Sequence, residues 1–336
     1  MNLSDRKKKI LSAVIDENIA SAEPVSSGQL QKDYLNDLSS ATIRNELATL
    51  EEMGFLYQPH TSAGRVPTLE GIKFYIDEIL PTIKERNIGD LISDFDANLD
   101  NISVMLKQTA QAISEATNYT SLMYLGLYDL AIIKQVGLIK LDATNTLAVI
   151  VTDRGIIKDV VNLENSKAEL ESATKILTSI FKGKTLRQME QSDYLITEEI
   201  EKYKFMFEIL VNMVLKQEQA CDKVAIEGKD KIFNYPEFND VKKLKKVVNI
   251  FEEPNKLYPL LKDNENLEIS VEIGKDDLTK DCAIVTASYK VGNKIVGKAG
   301  VMGPVRMDYK NVISILKGIS QSLSQKLNKD NEKEGE

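Results

Sequence analysis

The chemistry this chain could perform is concentrated in one short run, where Thr42, Arg44, Asn45 and Thr49 share the polar side of a segment whose other side carries Ile43, Leu47, Leu50 and Met53. Arginine can grip guanine O6 and N7, asparagine can grip adenine N6 and N7, and threonine can meet a thymine methyl or a phosphate. A helix beginning at Ser39 or Ser40 adds unpaired backbone N–H groups that favour a phosphate oxygen. A second polar group follows at His60, Thr61, Ser62 and Arg65, around a glycine-bearing turn. Arginine at the edge of such a loop can enter a narrow minor groove, where the potential is most negative. The candidate DNA-contacting residues are therefore Ser39, Ser40, Thr42, Arg44, Asn45, Thr49, His60, Thr61, Ser62 and Arg65. Taken alone, the helix face is equally well explained as ordinary solvated surface. His60 is the only histidine of the chain; with no acid-base partner nearby it is read as a residue that touches a phosphate or packs, not as a catalyst.

The elements that must hold these residues are legible in the spacing. Ile43, Leu47, Leu50 and Met53 recur at offsets of four, three and three, which predicts a helix over 41–53 with one buried stripe. Ser39 or Ser40 caps its start, and Gly54 supplies a left-handed stop. Residues 55–58 alternate as a short strand, Pro59 ends it, and Thr61-Ser62-Ala63-Gly64 forms a tight turn before Arg65 and Val66 resume as a hairpin. Upstream, 3–19 reads as a helix with Ile10, Leu11, Val14 and Ile15 inward and Arg6, Lys7, Lys8 and Lys9 outward. A second helix starts at Ser26 or Ser27 and carries Leu30 and Leu35. Three helices and a hairpin make a winged helix-turn-helix, in which the third helix enters the major groove.

Residues 3–80 resemble the DNA-binding region of the heat-inducible transcription repressors of the HrcA family. The resemblance is carried by E-P-V-S-S at 23–27, S-S-A-T-I-R-N-E-L at 39–47 and Q-P-H-T-S-A-G-R-V-P-T at 58–68. Y-P-E-F at 235–238, V-E-I-G at 271–274 and G-P-V-R-M-D-Y at 303–309 extend it to nearly the whole chain. It departs where the family has Val-Gly-Ser and this chain has Val25-Ser26-Ser27, and where Gly274 is followed by Lys275, Asp276 and Asp277. The resemblance implies a repressor of chaperone operons that binds a CIRCE-type inverted repeat as a homodimer and is helped into its active form by the GroEL chaperonin. It also implies a sheet domain resembling GAF modules and an inserted dimerising domain.

Composition bounds the alternatives. Of 336 residues, 43% are hydrophobic, ample for packed cores in two or three domains. No apolar run approaches the ~20 residues of a membrane span and the start lacks the apolar core of a signal peptide, so a cytoplasmic protein is expected. Cys221 and Cys282 have no zinc-like spacing and are expected as reduced thiols. Charge is the unusual quantity, because DNA binders carry a basic footprint and this chain carries a net -8. Even residues 1–86 hold ten Lys or Arg against thirteen Asp or Glu. Affinity is therefore expected from local clusters, chiefly Arg6 to Lys9, Arg44, Arg65 and Lys73, and from pairing two DNA-binding units in a dimer.

The remaining chain reads as α+β. Thr68 caps a helix with Ile72, Tyr75, Ile76 and Ile79 on one face, and a long amphipathic helix is expected over 91–117. Strands are expected at 121–127, 132–141, 146–152 and 156–163, then at 267–273, 283–291 and 294–301. Helices are expected at 167–181, 198–219, 238–251 and 309–327. The resulting division is a DNA-binding domain at 1–86, a first part of a GAF-like domain at 91–163, a helix-rich inserted dimerising domain at 164–225, a second GAF-like part at 226–327 and a disordered tail at 328–336. Gly292, Gly297, Gly300 and Gly303 lie in and around a hairpin and read as turn residues, not a phosphate cradle. Arg306 and Asp308 read as structural or interdomain partners. No metal site, cofactor or nucleophile-base pair is visible, so no enzyme is expected. Two rivals share these features: a ligand-responsive regulator of metabolic genes, and a protein-interaction scaffold that does not bind DNA.

Overall fold

Hydroxyl side chains start each helix of the N-terminal unit. In the computed structural model, which describes residues 3–86, 102–126, 131–153, 155–190, 202–221, 223–252, 268–274 and 280–333, Ser4, Ser26, Ser39 and Thr68 each accept from a backbone N–H three residues on. The helices so begun are α1 (Asp5–Ser21), α2 (Ser27–Asp33), α3 (Ser40–Glu52) and α4 (Leu69–Ile79). Between α3 and α4, β1 (Leu56–Tyr57) and β2 (Val66–Pro67) pair antiparallel, with Tyr57 opposite Val66. The strand expected at 55–58 is thus two residues long; Phe55 is buried and packs its ring on Phe74. Gly54, at φ +82°, makes the left-handed exit from α3 that a β-carbon would resist.

The chain then builds two separate sheets. β3 (Thr120–Leu125), β7 (Lys223–Glu227), β8 (Ile269–Ile273), β9 (Cys282–Val291) and β10 (Lys294–Pro304) form one antiparallel sheet in the order β7-β3-β10-β9-β8. Alternation along β9 sends Ala283, Val285, Ala287 and Tyr289 into the core with α5 (Ile102–Thr117) and α10 (Tyr309–Lys333). Cys282 and Ile284 face the other way, onto Phe238 and the helix α9 (Val241–Glu252). The large core containing Val285 and Leu316 also contains Ile10, Leu47 and Ile72, so the N-terminal unit and the five-stranded sheet share one apolar interior.

The second sheet, β4 (Ile133–Lys140), β5 (Asn145–Thr152) and β6 (Gly155–Asn162), pairs only with itself. Its inner face packs on α6 (Lys167–Phe181), α7 (Leu186–Glu190) and α8 (Lys204–Cys221) around Ile150, Leu177, Phe181 and Leu210. This corrects the expected division: strands over 132–163 belong with the helices that follow them, and the insert begins before Ala131 instead of at 164. It ends before β7, an unexpected strand that returns the chain to the edge of the five-stranded sheet beside β3.

Two further boundaries move. The helix expected from 238 starts at Val241, because Pro236–Phe238 form a 3-10 turn and Asp240 accepts from the N–H groups of Lys242 and Lys243. The tail expected to be disordered from 328 is helical to Lys333; Asn328 there accepts from the N–H of Gly292 and donates to the carbonyl of Lys290. Gly292, at φ +57°, sits in the β9–β10 turn as expected. The part of the long helix expected over 91–101 lies outside the described residues. No helix among the described residues is long and apolar enough to cross a membrane.

Candidate nucleic-acid interface

The α3 face is built on a buried stripe of Ile43, Leu47 and Leu50, which fixes the helix rotation and turns Arg44 and Asn45 to solvent. Neither exposed side chain engages another described residue. Ser39 is doubly used: its Oγ accepts from the N–H of Thr42 at 3.1 Å and lies 2.8 Å from the Thr42 hydroxyl. Thr49 donates back to the carbonyl of Asn45 at 3.1 Å. Ser40 turns towards α2, its hydroxyl 3.2 Å from that of Ser27, and so joins the two helices. Of the expected α3 contacts, Arg44 and Asn45 are the ones with open donors and acceptors.

The hairpin loop is organised from within. Gln58 Nε2 donates to the carbonyls of Thr61 and Ala63, and the N–H of Ala63 donates to the carbonyl of His60 at 2.8 Å. His60, Thr61 and Ser62 are left exposed at the tip, and Tyr57 stands 47% exposed at its base. The base has a third arm that sequence reading missed. The N–H of Val25 donates to the carbonyl of Arg65 at 2.9 Å, and the N–H of Arg65 returns a bond to Val25 at 2.8 Å. Gly64 permits this approach, since a β-carbon there would lie 2.4 Å from the Val25 carbonyl oxygen.

Arg65 does not extend from the loop. It folds back onto α3, with its Nη2 2.8 Å from Glu51 Oε2 and its side chain 17% exposed, and its buried Nε has no hydrogen-bond partner among the described residues. The expected basic clusters are likewise neutralised. Arg6 and Lys7 meet Glu46 at 3.7 and 2.9 Å, Lys8 meets Glu78 at 2.8 Å, Lys9 meets Asp37 at 3.4 Å and Lys73 meets Glu70 at 3.2 Å. The acids lie on other elements or other turns, and no local spacing announces them; only the Lys73 pair, three residues apart on one helix, could have been read from sequence. Arg44 is the one cation of α3, and it has no carboxylate within reach among the described residues. Among those residues, no group of three His, Cys, Asp or Glu side chains could hold a metal ion.

The arrangement is a rigid polar helix face flanked by an exposed loop, suited to binding through a few exact contacts and not through a broad positive field. A family model described as the HrcA protein C-terminal domain matches residues 103–313. A heat-inducible transcription repressor HrcA from Natranaerobius thermophilus is 38% identical over 341 residues, covering 98% of both chains. Its counterpart from Ruminiclostridium cellulolyticum is 36% identical over 343 residues, covering 97% of this chain and 98% of its own. A crystal structure titled only as that of a hypothetical protein has the same fold, with a TM-score of 0.62 at 21% identity over 98% of this chain and 99% of its own.

Proposed function

This chain belongs to the HrcA family of transcription repressors, which are not enzymes, and from that premise we propose that it silences chaperone operons by binding a CIRCE-type inverted repeat as a homodimer. The three helices and hairpin act as a winged helix-turn-helix. α3 enters the major groove, where Arg44 and Asn45 read base edges. Ser39, Thr42, Thr49 and the first N–H groups of α3 meet phosphates. His60, Thr61 and Ser62 touch the backbone beside each half-site, and Arg65 joins them by exchanging Glu51 for DNA. The observation that carries this reading is the pair Arg44 and Asn45: two unengaged base-reading side chains on a capped helix whose other face is locked in the core.

The insert supplies the dimer contact. Its sheet leaves Ile139, Ile156 and Val160 more than half exposed on the face opposite its core, and such a patch on an otherwise charged molecule fits a second copy. The five-stranded sheet serves as a GAF-like module, and the GroEL chaperonin favours the active form until heat-unfolded clients draw it away.

Footprinting on promoters of chaperone operons tests the proposal. Protection of an inverted repeat by the wild-type protein, lost when the repeat is scrambled, is the expected result; equal binding to both would reject it.

A further inference from the structure

The described helices that carry the N-terminal unit onto the rest of the molecule end without the charge a helix end favours. Neither α1 nor α4 has a basic residue in its last turn, where the final carbonyls have no partner within the helix. The body supplies both cations. Arg306, just past β10, donates from Nη1 to the carbonyl of Ile19 at 3.0 Å while its Nε and Nη2 grip the carboxylate of Glu237. Lys317, on α10, donates to the carbonyls of Leu80 and Ile83 at 3.2 and 2.8 Å, just beyond α4.

Between these two caps lies a third contact. Asp16 of α1 accepts from the Tyr75 hydroxyl of α4 at 2.5 Å and from Lys310 Nζ of α10 at 2.7 Å, with the ammonium 5.4 Å from the centre of the Tyr75 ring. Further along α10, the hydroxyl of Ser314 donates to the carbonyl of Lys84. The segments 235–238 and 303–309, far apart in sequence, meet here: Glu237 orients Arg306, Tyr235 stacks on Tyr119, and the Tyr119 hydroxyl accepts from the N–H of Asp308.

We propose that Arg306, Lys310 and Lys317 are positioning residues for operator binding: they fix the angle of the N-terminal unit on the body, and so set the distance between the two α3 helices of a dimer. The inference rests on the dimeric-repressor reading above. None of the three needs to touch DNA. Two linked modules gain affinity only where both sites can be engaged together, so an unfixed unit still binds one half-site but loses the advantage of the correctly spaced second one.

The test uses the full-length protein and a duplex enriched by the wild type from a random pool, together with its isolated half-site and a version lengthened at the centre by about half a helical turn. Arg306→Gln combined with Lys310→Met is expected to bind the half-site within about twofold of wild type and the intact repeat about tenfold or more weakly, with most of the discrimination against the lengthened duplex lost. Arg306→Lys keeps the charge but not the fork, and should recover part of it. Unchanged spacing discrimination in the double variant overturns the proposal. If the double variant loses half-site binding through misfolding, Lys310→Met alone decides, because that side chain is 49% exposed. A wild type that enriches no inverted repeat would instead sink the repressor reading itself.

Discussion

The α3 face of the N-terminal unit and the outer face of the β4–β6 sheet are both open to solvent, and they are opposite in chemistry. On α3, the exposed side chains are polar, and most charges nearby are already paired: Glu46 holds Arg6 and Lys7, and Glu51 holds Arg65. On the sheet, Ile139 lies opposite Leu147, Leu147 opposite Val160 and Val151 opposite Ile156, an aliphatic group that shares its face with Gln135 and Lys158. The contrast separates two tasks. A non-directional apolar contact suits holding two identical subunits together, while a few exposed, directional donors suit choosing one sequence among many. Pairing Arg6 to Lys9, Arg65 and Lys73 with acids weakens the general attraction to phosphate that drives non-specific binding.

The largest expected effect breaks the apolar side of this contrast. Ile156→Asp with Val160→Asp should weaken self-association by about 3 kcal/mol or more, since burying each aliphatic side chain is worth about 1.5 to 3 kcal/mol. Sedimentation should then show monomer at concentrations where the wild type is paired; an unchanged dimer would remove this face from the model. Next comes the polar side. Arg44→Ala should cost about 1 to 3 kcal/mol, confined to one base position of each half-site. A uniform loss across all sequences would reassign Arg44 to phosphate.

A smaller effect sharpens the role of neutralisation. Glu51→Gln removes the charge that holds Arg65, and should raise DNA affinity by up to about 1 kcal/mol. The salt dependence should steepen by about one phosphate contact. Weaker binding after this substitution would mean that the Glu51–Arg65 pair is itself the binding geometry. The smallest effect lies in the insert. The Asp142 carboxylate accepts from the N–H groups of Thr144 and Asn145 and from the Asn145 amide. These bonds, led by the Asn145 side chain, lower its pKa from 3.8 to about 2. A group lowered on folding stabilises above its unfolded pKa and loses that contribution as pH falls through the folded one. Acid titration should therefore show the β4–β5 turn weakening between 3.8 and about 2, and Asp142→Asn should erase that dependence.

How much of this was legible in the sequence followed the range of the interaction. The α3 cap, which spacing narrowed to Ser39 or Ser40, the stop at Gly54 and the stripe of Ile43, Leu47 and Leu50 are local features, and the pattern reached them. The exposure of Arg44 and Asn45 followed from that stripe. That Arg65 folds back onto Glu51 was not legible, because Glu51, on the preceding helix, bears no periodic relation to it. The insert boundary failed for a related reason: alternation along 132–162 tells which residues share a face, but not which sheet the strands join. Val25 bonding to Arg65, and Arg306 reaching Ile19, are closer in space than any pattern in the chain implies.

The central claim is that two copies of the N-terminal unit clasp a symmetric duplex through a few exact contacts. Titrating the wild-type dimer against its inverted repeat and a scrambled duplex, across a series of salt concentrations, tests it most directly. The account predicts a preference of about a thousandfold or more for the repeat, retained as salt rises, with a log-log slope reflecting only a handful of phosphates. Equal affinities for the two duplexes, or a preference that vanishes with added salt, would contradict it.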